Sequence, residues 1–137
     1  MEETRYGMRV ELPVAYEDAV ERTTAALKTE GFGVLTTIDV KQTIKQKLDR
    51  DFRKYVILGA CNPPIAFQAL SAETDLGLLL PCNVIVYETD PGRSIVATVA
   101  PLVTMGHVGN EALAPLGQQV DAKLRRVLAT LETGAGQ

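Results

Sequence analysis

Leu113, Leu116, Val120, Leu124, Val127, Leu128 and Leu131 recur at spacings of three and four residues. This is a single apolar stripe on a helix that begins near Glu111, and it needs an apolar surface of similar width to cover it. Strands elsewhere in the chain are the natural source. Tyr6, Met8, Val10 and Leu12 alternate with polar residues, the period of a strand with one buried face. Tyr55 to Leu58 is an unbroken apolar run, as expected of an interior strand covered on both faces.

Between these come further elements. Pro13 closes the first strand, and a helix follows from about Glu17 to Glu30, with Glu17, Asp18 and Glu21 early, where they complement the helix dipole. Its expected inner stripe is Ala19, Val20, Thr23 and Leu27. Gly31 and Phe32 suit a stop in which glycine takes the left-handed position and the next apolar residue packs back. Gly33 to Ile38 is β-branched and reads as a strand. Asp39 with Gln42 opens a second helix whose apolar face is Val40, Ile44 and Leu48. Asn62-Pro63-Pro64 starts a third, with Ala66, Phe67 and Leu70 expected to face inward. Leu78 to Tyr87 reads as a strand that starts at, or is bent by, Pro81. Asp90-Pro91-Gly92 turns it into Ile95 to Ala100, making an antiparallel hairpin. Residues 101 to 110 read as a loop.

The predicted order is β-α-β-α-β-α-β-β-α. It describes an α+β fold, a single domain over residues 1–137 with a mixed sheet of about five strands covered by helices. The core spans about 6–132, and 133–137 are expected to fray. If helices cover one face only, the other meets water or a partner, and a second copy of the chain is the simplest partner.

Composition excludes several classes. Leu, Ile, Val and Phe supply 39 residues, well above the share at which chains tend to disorder. A net charge of -3 disfavours general nucleic-acid or anionic-membrane binding. The opening Met-Glu-Glu-Thr-Arg-Tyr is unlike an export signal and no apolar run approaches a membrane span, so a cytoplasmic location is expected. There Cys61 and Cys82, 21 positions apart, should be free thiols.

Two segments combine chemistry with a break in regular structure. Cys61-Asn62-Pro63 places a thiol beside a helix N-terminus, which favours an anion and so a nucleophilic thiolate. A small buried cysteine with Asn62 merely capping explains the same residues. Leu80-Pro81-Cys82-Asn83 directs side chains off a regular ladder, though Cys82 also reads as a core residue and Asn83 as a partner of turn backbone. Proximity of the two thiols would permit a transient disulfide, a persulfide relay or a soft-metal site. Met105 and His107, the only histidine, extend the soft-ligand set without any recognised spacing. They read first as a packing methionine and an exposed histidine, so no metal is assigned. Lys41, Lys45, Lys47, Arg50, Arg53 and Lys54 form one basic patch, read as a solvated face pairing with Glu17, Asp18 and Glu21. Dinucleotide, phosphate-loop and nucleophile-elbow motifs are missing from the sequence.

The segments Gly31-Phe32-Gly33-Val34, Ile38-Asp39-Val40, Leu58-Gly59-Ala60-Cys61-Asn62-Pro63 and Gly77-Leu78-Leu79-Leu80-Pro81-Cys82-Asn83-Val84, with the closing helix, resemble the domain-of-unknown-function family numbered three hundred and two. The resemblance runs from about residue 8 to residue 131. It implies a small bacterial or archaeal α+β domain, often standing alone, without an established activity. Members occur in sulfur-oxidising organisms, which keeps a thiol role in view.

Together these readings give a binding or accessory module, homodimeric, with a ligand pocket at Cys61, Asn62, Pro63, Pro81, Cys82 and Asn83. The reading leans away from an enzyme and assigns no catalytic residue and no cofactor. Expected partners are a second copy and a small-molecule or sulfur ligand, not nucleic acid or membrane. The alternative is a thiol redox or persulfide-carrier protein using Cys61 with Cys82 as resolving partner. Soft-metal binding by Cys61, Cys82, Met105 and His107 is a third reading.

Overall fold

The computed structural model describes residues 1–134. Six strands form one sheet in the order β1-β2-β6-β5-β4-β3, every neighbouring pair antiparallel. The strands are β1 (Glu2–Glu3), β2 (Gly7–Leu12), β3 (Gly33–Asp39), β4 (Tyr55–Cys61), β5 (Cys82–Asp90) and β6 (Arg93–Val99). The helices are α1 (Tyr16–Thr29), α2 (Val40–Leu48), α3 (Pro63–Ala72), α4 (Pro101–Gly106) and α5 (Ala114–Gly134). Short 3-10 turns occupy Thr74–Leu79 and Glu111–Leu113. The α+β class and the single sheet agree with the sequence reading.

The sheet is antiparallel and six-stranded, not mixed and five-stranded. Helical connections suggest parallel neighbours, but here α2 joins β3 to its antiparallel neighbour β4, and α1 carries the chain from β2 to the far edge. The sixth strand is the two-residue β1, too short to leave a periodic signal.

Alternation sorts each strand. Met8, Val10 and Leu12 on β2, Val56, Leu58 and Ala60 on β4, Val84 and Val86 on β5, and Val96 on β6 are buried on one face. Against them lie Ala19, Ala26 and Leu27 of α1 and Leu116, Val120, Leu124, Val127, Leu128 and Leu131 of α5. One layer of helices thus covers one face, and the α5 stripe lies where its periodicity placed it. Tyr55 and Ile57 on the other face of β4 are only half-buried, so that strand is not covered on both sides.

Local chemistry ends α1 as its sequence implies. Gly31 has φ 84°, its N–H bonds the Lys28 carbonyl at 3.1 Å, and the Phe32 N–H bonds the Leu27 carbonyl at 3.0 Å. Phe32 is buried beneath that turn.

Other expectations change. Residues 101–106 form α4, initiated by Pro101 at its first turn, rather than a loop. Residues 74–79 coil as a 3-10 turn, so β5 starts only at Cys82, after a cis Leu80-Pro81 bond. Within α2 no residue is buried, and Leu48 is exposed. On α3 the inward residues are Ile65 and Ala69, whereas Phe67 is 74% exposed. Thr133 and Gly134, the first residues of the expected frayed tail, are the last of α5, and the Gly134 carbonyl accepts from Arg22 at 3.2 Å. The remainder of the expected frayed tail, 135–137, lies outside the described residues.

Leu124 and Phe67 test this assignment of faces. Leu124→Ala removes a side chain with no solvent exposure and should lower unfolding free energy by about 2–5 kcal/mol, whereas Phe67→Ala should change it by less than about 0.5 kcal/mol. Urea denaturation of both variants measures the contrast.

Candidate functional site

Strand β4 ends at Cys61 and α3 begins at Pro63, so the chain reverses at Asn62. The Asn62 Oδ1 accepts from the Ile65 N–H at 3.4 Å, while its Nδ2 donates to the Glu30 carbonyl at 3.3 Å. Both ends of the amide are therefore engaged in holding the start of α3 to the end of α1. Glu30 reaches further, its carboxylate accepting from the Arg126 Nε of α5 at 2.9 Å. Asn62 is a tie between elements, and its neighbour Pro63 lies exposed at the first turn.

The β4–β5 register places Ala60 opposite Cys82 and Gly59 opposite Asn83. Cys61 is thus one residue beyond the partner of Cys82. A cavity of about 270 Å3 opens at this end of the sheet, beneath α3 and against α5. Cys61, Asn62, Pro81 and Cys82 line it together with Phe32, Leu35, Ile65, Ala66, Met105 and Val120. The structure therefore brings both cysteines and Met105 to one place. It does not bring Pro63 or His107 there, and His107 is exposed in the turn after α4. Among the described residues no group of three or more His, Cys, Asp or Glu side chains could hold a metal ion.

Strand alternation sends Asn83 the other way. It is exposed and lines a groove on the uncovered sheet face with Tyr6, Arg9, Tyr55, Ile85 and Tyr87. Leu80 and Pro81 border both hollows. The six residues read from sequence as one pocket thus belong to two opposite faces and a helix turn. Phe32, Leu35, Ile65 and Val120 were not read as site residues: Phe32, Ile65 and Val120 enter the cavity as buried core side chains, and Leu35, 67% exposed, borders it without any chemical motif.

Both cysteines are free thiols. Burial pushes the Cys82 thiol up to about 11, and the nearby Cys61 adds to the shift by repulsion. A protonated thiol is the opposite of what a fast nucleophile requires.

The basic segment is paired in part: Lys54 meets Glu17 at 2.6 Å, the one pair with the expected acids, Lys45 meets Asp49 at 3.0 Å, and Lys41 donates to the Phe52 carbonyl at 2.7 Å, while Asp18 pairs with Arg22 instead. The Arg53 guanidinium lies 5.8 Å from the Tyr87 ring centre. No helix among the described residues is long and apolar enough to cross a membrane.

Comparison with known proteins gives the same fold. Residues 8–131 match the family described as domain of unknown function DUF302. The chain belongs to this family. A similar solved structure is that of an uncharacterized conserved DUF302 protein from Bacillus stearothermophilus, 28% identical, with a TM-score of 0.85 over 93% of this chain and 99% of that one. No curated protein matches the chain. The matched DUF302 segment includes both Cys-Asn segments, so the Asn62 tie and the cavity lie within the family's own domain.

Two outcomes follow from this geometry. Asn62→Ala removes a cap and an interhelical bond and should cost about 1–2 kcal/mol in chemical denaturation, while Asn83→Ala should be neutral within about 0.5 kcal/mol. The Cys82 thiol is raised from 9.0 to about 11, so the folded state holds its proton more tightly than the unfolded chain. Its contribution is full below about pH 9 and is lost as pH rises through 11. Between pH 8 and pH 10.5 the parent should therefore lose on the order of 1–2 kcal/mol more stability than Cys82→Ser, measured by denaturation at each pH.

Proposed function

We propose that this DUF302 protein is a binding module for a small, uncharged, largely apolar ligand held at the Cys61–Cys82 end of the sheet. The observation that carries this reading is the cavity itself. Its walls include Phe32, Leu35, Ile65, Leu80, Met105 and Val120, and no Lys, Arg, Asp or Glu lines it. An anion or cation would exchange water for apolar walls there without a countercharge. Phosphates and sulfur oxyanions are disfavoured on that ground, whereas a neutral sulfur compound or a hydrocarbon group is compatible.

The volume supports a ligand of modest size. A cavity of about 150 Å3 accommodates benzene, so 270 Å3 suits a ring with a short substituent. Water on apolar walls has few hydrogen-bond partners, and its release favours an apolar occupant. The thiols are the soft polar groups available to orient that occupant, with Cys82 as a neutral donor.

The thiol redox reading is the weaker rival. It assigns Cys82 the resolving role, yet burial keeps that thiol protonated at neutral pH. Attack by Cys82 on a mixed disulfide at Cys61 would accordingly be slow.

A thermal-shift panel of neutral aromatic, short-chain aliphatic and thioether compounds tests the proposal. A binder present at one hundred times its Kd adds about 2.7 kcal/mol and raises the melting temperature by several degrees. Ala66→Phe, which fills the mouth of the cavity, should abolish that rise. Absence of any shift across the panel, or a shift that survives Ala66→Phe, defeats the reading.

A further inference from the structure

The cavity under α3 has a neighbour. A second hollow of about 400 Å3 lies between α4 and α5, with Leu102, Leu113 and Gly117 in its wall. Met105 lines both hollows. On α5 the cavity touches Val120 and the second hollow touches Gly117 and Leu113, so the two stand in file along the helix, about one turn or ~5 Å apart.

The helix is shaped to receive the side chain between them. Gly117 is buried within α5, where glycine is less favourable than alanine. A Cβ at that position would stand 3.3 Å from the Met105 sulfur and 3.8 Å from a Leu102 methyl. Bare backbone therefore lets the thioether seat against the helix and close the end of the cavity. At the other end Leu35 and Leu70 line the cavity while 67% and 38% exposed, so the way in from solvent is apolar.

We propose that the occupant of the cavity is an unbranched alkyl chain that enters between Leu35 and Leu70, and that Met105 is the stop that sets how long a chain the site accepts. The inference rests on the cavity reading above and adds the class of ligand and a residue that determines specificity.

The shape of the space selects a chain over a compact ring. Beyond Met105 the empty space resumes in the same direction along α5, so this residue closes the end of a path and not its side. A path ended by one flexible thioether suits a linear occupant. The two ends of the site also differ. A chain with a polar terminus leaves that terminus in water at the mouth and gives its methylenes to walls without a charged residue, so no polar group of the ligand is buried unpaired. Volume sets the length. About 150 Å3 accommodates the six carbons of benzene, roughly 25 Å3 each, so 270 Å3 holds about ten.

Binding of the uncharged series from 1-butanol to 1-dodecanol, measured by thermal shift against alkanol concentration, tests the proposal. Affinity for the parent should rise about fourfold with each methylene up to about ten carbons and level off beyond. Met105→Ala deletes three heavy atoms of the stop and opens the cavity toward the second hollow. It should bind 1-dodecanol at least tenfold more tightly than the parent does, with 1-hexanol unchanged within about threefold, and Met105→Leu should restore the parent's plateau. If Met105→Ala loses its folded circular dichroism spectrum, Met105→Val carries the test in its place. A plateau at the same length in parent and folded variant overturns the role of Met105. Neutral rings that bind while alkanol affinity stays flat with length overturn the chain and leave the cavity reading standing, whereas binding of neither defeats both.

Discussion

The contact between the α1–α5 layer and the Met8, Val10, Val84, Val86 and Val96 face of the sheet determines what the rest of the chain can do. It uses the apolar stripe of α5 and the inner side of α1, and those helices lie side by side over the centre of the sheet. Each buried leucine or valine there contributes about 1.5–3 kcal/mol of transfer free energy, so this layer dominates stability. Once these helices are committed to one face, little helix remains for the other. α2 buries nothing, α3 fits against the end of the sheet, and α4 is six residues long.

The cavity is a consequence of how α3 meets that layer. Its start is fixed to α1 by Asn62, and its buried residues are Ile65 and Ala69, one large and one small. Alanines at 60, 66 and 69 stand where bulkier residues would close the seam between α3, the sheet end and α5. The backbone around it is constrained. A Cβ at Gly31 would come within 3.0 Å of the Asn62 Nδ2, and one at Gly59 within 2.8 Å of the Pro81 ring. Asn62, which lines the hollow, is thus held closely against the stop of α1.

Local chemistry was legible in the sequence, and tertiary choice was not. The Gly31 stop, the Asp39 and Asn62 caps, the hairpin and the α5 stripe each rest on interactions within a few residues, and each is where the sequence put it. Strand direction depends on which distant strand supplies hydrogen bonds, so β-α-β order alone suggested parallel pairs that do not exist. Phe67 shows the limit of periodicity. Pro63, Pro64, Ile65, Ala66, Phe67, Ala69 and Leu70 make α3 apolar nearly all round, and nothing local says that Phe67 faces outward. β1 and α4 were missed because two- and six-residue elements are stabilised by what they dock on, as the Arg125 ion pairs with Glu3 and Asp121 show for β1.

The Pro81-Cys82-Asn83 segment carries the same lesson into function. Residues adjacent in sequence look like one motif, but a strand sends neighbours to opposite faces. Cys82 enters the helix-covered side, where burial raises its thiol and a cavity lies beside it. Asn83 enters the open side, among tyrosines and isoleucines. A single ligand cannot touch both side chains without crossing the sheet. Any activity that requires the cysteine must therefore be sought under α3, and any role of the asparagine on the open face of the sheet.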